Sequence, residues 1–277
     1  MKQPITYLFV PGNRPERFAR AFASSADAII LDLEDAVVAN DKVSARDNVA
    51  RWMASTPQAR DRTLLRVNAV RTEWFHADLD LLRSTGTRVA MLPKADSAEE
   101  VALVRAALVD DGSVVPLIET ARGVWDARDI AGAPGVQRLA FGTLDYAVDV
   151  GLSGDERGLA YPATRISIAS RCAGIASPVA GVTAVLDDEA ALQADLAFAR
   201  AHGFGAKLCI HPSQLAAVRA AFVPTDAELA WARRVLSAVE HGPGAIQLDG
   251  AMIDAPLVAR ARAIVDRSEP SGTRSES

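Results

Sequence analysis

Acidic and cationic residues stand just past a series of short apolar runs. Asp32, Glu34 and Asp35 close the run Ala28–Leu33, Arg66 and Asn68 fall in LLRVN, and Lys94 follows Arg88–Leu92. Glu119 follows Val114–Ile118, Asp145 follows Arg138–Phe141, and His211-Pro212 follows Ala206–Ile210. Glu119 and Asp145 have no thiolate or imidazole cluster near them in sequence, which favours a hard cation. Mg²⁺ commonly takes one or two carboxylates plus water and substrate oxygens. Two rim carboxylates bonded to backbone amides would read the same way. Arg66 lies inside an apolar run, so it must be paired or face a polar opening. It either meets a substrate anion or forms an internal ion pair with Glu34 or Asp35. Lys94 has the chemistry of a Schiff-base nucleophile but reads better as an ion-pair partner of nearby carboxylates. His211 is a candidate base or a hydrogen-bonded turn histidine ahead of Pro212. The segment VPGNRPERF, with Arg20 behind it and Lys42 to Arg46 further on, offers cations and amides to a phosphate, or is a solvated helix face.

These residues need elements that bring them together. The apolar runs are Thr6–Val10, Ala28–Leu33, Thr63–Val67, Arg88–Leu92, Val114–Ile118, Arg138–Phe141, Val179–Val182 and Ala206–Ile210. They are continuously apolar, as in parallel strands buried on both faces. Amphipathic stretches such as Ser97–Val109 and Glu189–His202 lie between them as helices. Eight strand–helix units favour a closed (β/α)8 barrel over an open sheet. In such barrels the site forms at the C-terminal ends of the strands, where all these polar residues fall.

The barrel is expected over residues 1–222, ending with a helix at Ser213–Phe222. An extension follows over 223–267: a helix Asp226–His241, a Gly242-Pro243-Gly244 break, the segment AIQLDGAMID and a last helix Pro256–Arg267. The apolar positions Leu257, Val258, Ala261, Ile264 and Val265 of that helix are expected to bury against a neighbouring subunit, as a lid. Residues 268–277 read as a disordered tail.

The chain has 277 residues, 49% of them hydrophobic, enough for one large core without staples. Its two cysteines suggest no disulfide framework, and a reducing, cytoplasmic setting fits. A net charge of −5 with both signs interspersed argues against a nucleic-acid partner. No apolar run reaches the length of a membrane span, and the first residues lack the pattern of a signal peptide.

The run LFVPGNRPERFARAFASSADAIILDLEDAV resembles the N-terminal signature of the citrate lyase beta subunit-like proteins. LLRVN, MLPKADSAEEV, PLIETARGV, AFGTLDYAVDVG and CIHPSQL resemble its later blocks in order, and GAMIDAPLVARARAIV its C-terminal block. The resemblance implies a Mg²⁺-binding barrel, usually trimeric, that cleaves citryl-, malyl- or citramalyl-type thioesters. It implies Glu119 and Asp145 as metal ligands and Arg66 on the substrate carboxylate or thioester oxygen. It places Phe9, Arg17, Arg20, Lys42 and the Asp32–Val37 segment on the coenzyme A side, with His211 and Pro212 near the substrate. Asp254 becomes the acid/base, carried by a lid from the neighbouring subunit. The chain departs from the resemblance at Ala180, where an aspartate is frequent, and at Phe9, where several relatives have tyrosine.

The resulting expectation is a Mg²⁺-dependent carbon–carbon lyase acting on a 3-hydroxy-acid CoA thioester, giving acetyl-CoA and a 2-oxo acid. Three alternatives stand beside it. They are a citryl-carrier-protein lyase subunit of a citrate lyase complex, a CoA-free pyruvate-type aldolase, and a non-catalytic CoA-binding protein.

Overall fold

The eight apolar runs form eight parallel strands. They are β1 (Thr6–Pro11), β2 (Ala28–Asp32), β3 (Thr63–Arg66), β4 (Val89–Leu92), β5 (Ser113–Ile118), β6 (Arg138–Phe141), β7 (Ala176–Ala180) and β8 (Ala206–Cys209). Each pairs with the next and β8 returns to β1, so the sheet closes as a barrel. The computed structural model describes residues 3–153, 157–240, 246–248 and 251–268. The one strand misplaced by the sequence reading is β7. Its run begins three residues earlier than Val179, at Ala176, because Ala176 pairs with Arg138 before the register shifts in the β6–β7 ladder.

Side chains alternate in and out along each strand. The inward set packs as one core: Tyr7, Ala28, Ile30, Leu64, Met91, Val115, Leu117, Ala140, Val179, Ala206 and Leu208. One further step of two residues along the strands reaches Phe9, Asp32, Arg66, Glu119, Gly142, Gly181 and Ile210, which line the C-terminal mouth. The period that fills the core with aliphatic side chains thus turns charged residues inward at the rim. At the other end Arg138 also points inward. It donates to the carbonyls of Ser177 and Pro4 and so closes the barrel floor.

Helices cover the outer face. Ala98–Arg105 starts at Ser97, whose side chain accepts from the Glu100 N–H, and Glu189–Ala201 starts at Asp188, which caps Ala191 in the same way. The longest barrel helix is Arg157–Cys172, with Pro162 inside its first turns. The Cys209 thiol is buried, which pushes its pKa up to about 12, whereas Cys172 is exposed. Only a thiolate attacks a disulfide reagent. One thiol per chain is therefore expected to react with Ellman's reagent in the native protein and a second only after denaturation. Two fast-reacting thiols in the native state would contradict this burial.

Pro4–Val218 makes one compact unit, and a second begins at Arg219, within the helix Leu215–Phe222. In the second unit the helices Asp226–Glu240 and Ala255–Ser268 pack on each other. The segment AIQLDGAMID, taken in sequence as a plain connection, holds two short antiparallel strands, β9 (Ile246–Leu248) and β10 (Ala251–Ile253). The apolar face of the last helix is also corrected. Ala261 and Ile264 are buried with Ala232, Val235 and Ile253 of the same chain, and Leu257, Val258 and Val265 pack against that cluster. This face therefore needs no neighbouring subunit to cover it. Of the tail expected over 268–277, Ser268 instead ends the last helix; residues 269–277 and the Gly242-Pro243-Gly244 break lie outside the described residues.

Candidate active site

At the mouth, Arg66 is the hub. Its Nε and Nη2 donate to the two Asp32 oxygens at 2.6 and 2.7 Å, a bidentate fork. Its Nη1 lies 2.9 Å from Glu34 and 3.9 Å from Asp35. The guanidinium also stacks over the Phe9 ring at 4.7 Å. The sequence suggested Glu34 or Asp35 as its internal partner; the main partner is Asp32, expected at the same strand end but not opposite Arg66. Burial works against the Arg66 charge, but Asp32, Glu34 and Asp35 more than offset it and raise its pKa. Asp32 itself accepts the backbone N–H groups of Glu34 and Ala36, so it also shapes the loop after β2.

Glu119 and Asp145 come from the ends of neighbouring strands. Asp145 lies in the first turn of the helix Thr143–Asp149, which opens directly after β6 and Gly142. Gly142 is required there, because a Cβ would stand 2.7 Å from Glu119 Cβ, which cannot swing away as a side-chain tip can. Both carboxylates face Lys94. Its Nζ donates to Asp145 Oδ2 at 3.2 Å and lies 3.7 Å from Glu119 Oε1, while its backbone N–H donates to Glu119 Oε1 at 2.8 Å. Its shortest bond, 2.6 Å, goes to Glu34 Oε1. Lys94 is thus an ion-pair partner of several carboxylates, as its sequence position suggested. Burial pushes the Glu119 carboxyl up to about 8 despite the Lys94 charge, helped by Glu34 and Asp145. Glu34 is raised as well, by burial first, against the pull of Arg66 and Lys94. Asp32, Asp35, Arg66, Glu119 and Asp145 line a cavity of about 360 Å³ together with Leu117, Thr143, Leu144 and Val182.

Other expected site residues fall elsewhere. Lys42 is a correction. Its ammonium is buried and donates to the carbonyls of Leu33 and Glu34 at 2.6 and 2.8 Å and to Asn68 Oδ1 at 2.6 Å. All three protons are committed to holding the loop after β2, so none is left to grip a phosphate. Asn68 is held in turn by Asp78, a buried acid missed in the sequence, which also pairs with Arg46. Arg17 and Arg20 are exposed, Arg17 beside Glu16 at 3.9 Å. His211 Nδ1 lies 2.8 Å from Ser213 Oγ and accepts the Ser213 N–H ahead of the turn begun by Pro212, so its cap role is satisfied locally. Asp254, in the second unit, accepts the Leu257 N–H at 3.1 Å as the N-cap of the last helix.

A second cavity, of about 310 Å³, lies on the outer side of β6–β8 and is mostly apolar. Its charged residues are Asp195 and Lys207, and Lys207 alternates with the inward Ala206 and Leu208 and therefore points out of the barrel. Lys207 donates to the Gly181 carbonyl at 2.7 Å and to Asp195 at 3.4 Å, an internal pairing rather than a mouth residue.

A closed parallel barrel with convergent carboxylates at its C-terminal mouth defines a class of enzyme scaffold. Residues 6–212 match the model of the family described as HpcH/HpaI aldolase/citrate lyase, and residues 164–273 match that of the C-C bond lyases of the TIM-barrel fold. The chain belongs to the HpcH/HpaI aldolase/citrate lyase family. It is 38% identical to a citrate lyase subunit beta-like protein of Mycobacterium tuberculosis, over 95% of this chain and 94% of that one. A (3S)-malyl-CoA thioesterase of Cereibacter sphaeroides is 33% identical over 95% and 93% of the two chains. The crystal structure of CitE from Mycobacterium tuberculosis in complex with magnesium, acetoacetate and coenzyme A superposes with a TM-score of 0.84 at 36% identity. It covers 95% of this chain and 97% of that one.

Proposed function

We propose that this protein is a Mg²⁺-dependent lyase that cleaves a 3-hydroxy-acid CoA thioester of the malyl, citramalyl or citryl type into acetyl-CoA and a 2-oxo acid. The observation that carries the reading is the pair Glu119 and Asp145 meeting at one ammonium beside Arg66. The donor set fits a divalent cation. Glu119 is a buried carboxylate whose charge the resident groups leave incompletely compensated. No three or more His, Cys, Asp or Glu converge as an all-protein cage among the described residues. Two carboxylates completed by water and substrate oxygens match the habit of Mg²⁺.

Glu119 and Asp145 would hold the ion, which when bound supplies positive charge that orients the substrate and acidifies its 3-hydroxyl. This chain's own groups do the rest. The hydroxyl proton passes to water in the open mouth, the oxo group forms as the carbon–carbon bond breaks, and the electron pair of that bond passes to the thioester as an enolate. Arg66, fixed by Asp32 and Phe9 and flanked by Glu34, would offer that enolate oxygen the N–H donors its fork to Asp32 leaves over. Asp254 then protonates the enolate carbon. In this reading Asp254 serves a neighbouring copy in a homotrimer. Mixing inactive Asp254→Ala and Glu119→Ala proteins under subunit exchange is then expected to restore part of the activity. Mixtures as inactive as their components would remove the shared site.

Coenzyme A would lie along the exposed Arg17 and Arg20. Reversing both to glutamate is expected to weaken CoA-thioester binding by roughly tenfold at low salt, with a smaller difference at high salt. Unaltered affinity in a calorimetric titration would take both residues out of the site. A second reading draws on the (3S)-malyl-CoA thioesterase relatives: hydrolysis of the thioester itself. Product analysis with malyl-, citramalyl- and citryl-CoA separates the two. Acetyl-CoA plus a 2-oxo acid supports the lyase; free CoA plus an intact hydroxy acid supports the thioesterase.

A further inference from the structure

Lys94 is the one non-glycine residue with positive φ, 49°, among the described residues. A side chain with a Cβ avoids this region unless its surroundings hold it there, and such residues cluster at functional sites. Here the strained turn lets one residue serve the same acids from two ends. The backbone N–H donates to Glu119, and the ammonium bonds Glu34 and Asp145 and lies within ion-pair reach of Glu119. The ammonium therefore stands where the candidate ligands converge. Its side chain is 37% exposed, whereas that of Glu34 is 8% exposed. It can shift without becoming a newly buried charge. One destination is already marked: Glu34 Oε1 accepts the ammonium at 2.6 Å, its shortest bond.

We propose that Lys94 is a resident counter-cation that holds Glu119 and Asp145 together in the metal-free protein and yields them to an incoming divalent cation, retreating onto Glu34. The inference rests on the reading of Glu119 and Asp145 as metal ligands. Its physical basis is charge. Without a cation, Glu34, Asp35, Glu119 and Asp145 repel one another in a partly desolvated mouth, and Lys94 offsets that repulsion. With a divalent ion on the same oxygens, the ammonium is a like charge a few ångströms away and opposes it. Lys94 therefore stabilises the empty site and lowers metal affinity. By linkage the two effects have the same origin.

The test uses Lys94→Met, which keeps the stem and the backbone N–H and removes the charge. In buffer with EDTA the variant is expected to melt below the unmodified protein. Saturating MgCl2 should bring the two midpoints together. Titration calorimetry with MgCl2 alone should show affinity raised roughly tenfold, equivalent to about 1.4 kcal/mol. Glu34→Gln should act oppositely and weaken Mg²⁺ binding, because the displaced ammonium loses its counter-charge. A Lys94→Met protein that binds Mg²⁺ no more tightly, or that melts no lower without metal, overturns the inference. If the unmodified protein binds Mg²⁺ and only the Lys94 effects are missing, the metal reading survives alone. If neither protein shows a Mg²⁺ heat or a Mg²⁺-dependent shift in melting, both fall together.

Discussion

Replacing Glu119 by glutamine, or Asp145 by asparagine, is expected to lower kcat on the order of 10³-fold while leaving the barrel folded. The contrast between activity and stability follows from the surroundings of Glu119. Its carboxyl is 3% exposed and burial raises its pKa, so an uncharged group of the same shape costs the fold little there. Glutamine keeps the shape and one oxygen for the Lys94 N–H, which donates at 2.8 Å. It removes only the charge that a cation needs. The melting midpoint in EDTA should therefore stay within a few degrees of the unmodified protein, whereas the Mg²⁺-dependent rise should vanish. Asp145 is more exposed and lies at a helix start, so its substitution should be milder still for stability. Full activity of EDTA-treated protein, or of either variant, would show that these carboxylates are rim groups bonded for structure.

Much of this was legible in the sequence, for a definable reason. Continuous apolar runs identify strands buried on both faces, and eight of them at the rhythm of a β/α unit leave few closed topologies. Polar residues just past those runs then fall at one mouth, which is how Glu119, Asp145, Arg66 and Lys94 were found together. Direction was harder to read than position. Lys42 and Arg17 look alike as cations in a chain. Only the fold shows that one is buried under three oxygen acceptors while the other lies at the surface. Likewise Asp32 is inward by strand alternation, two residues beyond Ile30, a signal that was present but unused. Asp78 and Lys207 were missed because their partners are 10 and 12 or more residues away and follow no local pattern. The hairpin of β9 and β10 is short, and three-residue strands carry too little alternation to register.

The largest effect on stability is expected at Asp32 rather than at any candidate metal ligand. Asp32 is fully buried and Arg66 is 9% exposed, and two hydrogen bonds of 2.6 and 2.7 Å join them. Asp32→Ala leaves the guanidinium with Glu34 at 2.9 Å and the exposed Asp35 at 3.9 Å, and frees the Glu34 and Ala36 N–H groups that Asp32 had accepted. Removing one partner of a buried ion pair costs about 3–5 kcal/mol. For a chain of this size that corresponds to a fall in melting midpoint of roughly 10 °C. Activity should fall as well, because an unanchored Arg66 no longer presents a fixed edge to the enolate. The two losses can be separated with a second substitution. Asp32→Leu combined with Arg66→Met replaces the pair by apolar groups of similar volume, a change that is often neutral or stabilising elsewhere. Two backbone N–H groups still lose their acceptor, so recovery should be partial, with the midpoint well above that of Asp32→Ala. Catalysis should not recover at all, since no guanidinium remains. A double-mutant cycle on melting in denaturant measures the coupling, expected above about 1 kcal/mol for residues in direct contact. Additive losses would mean that Asp32 and Arg66 act independently, and that the fork between them is not what fixes Arg66 at the mouth.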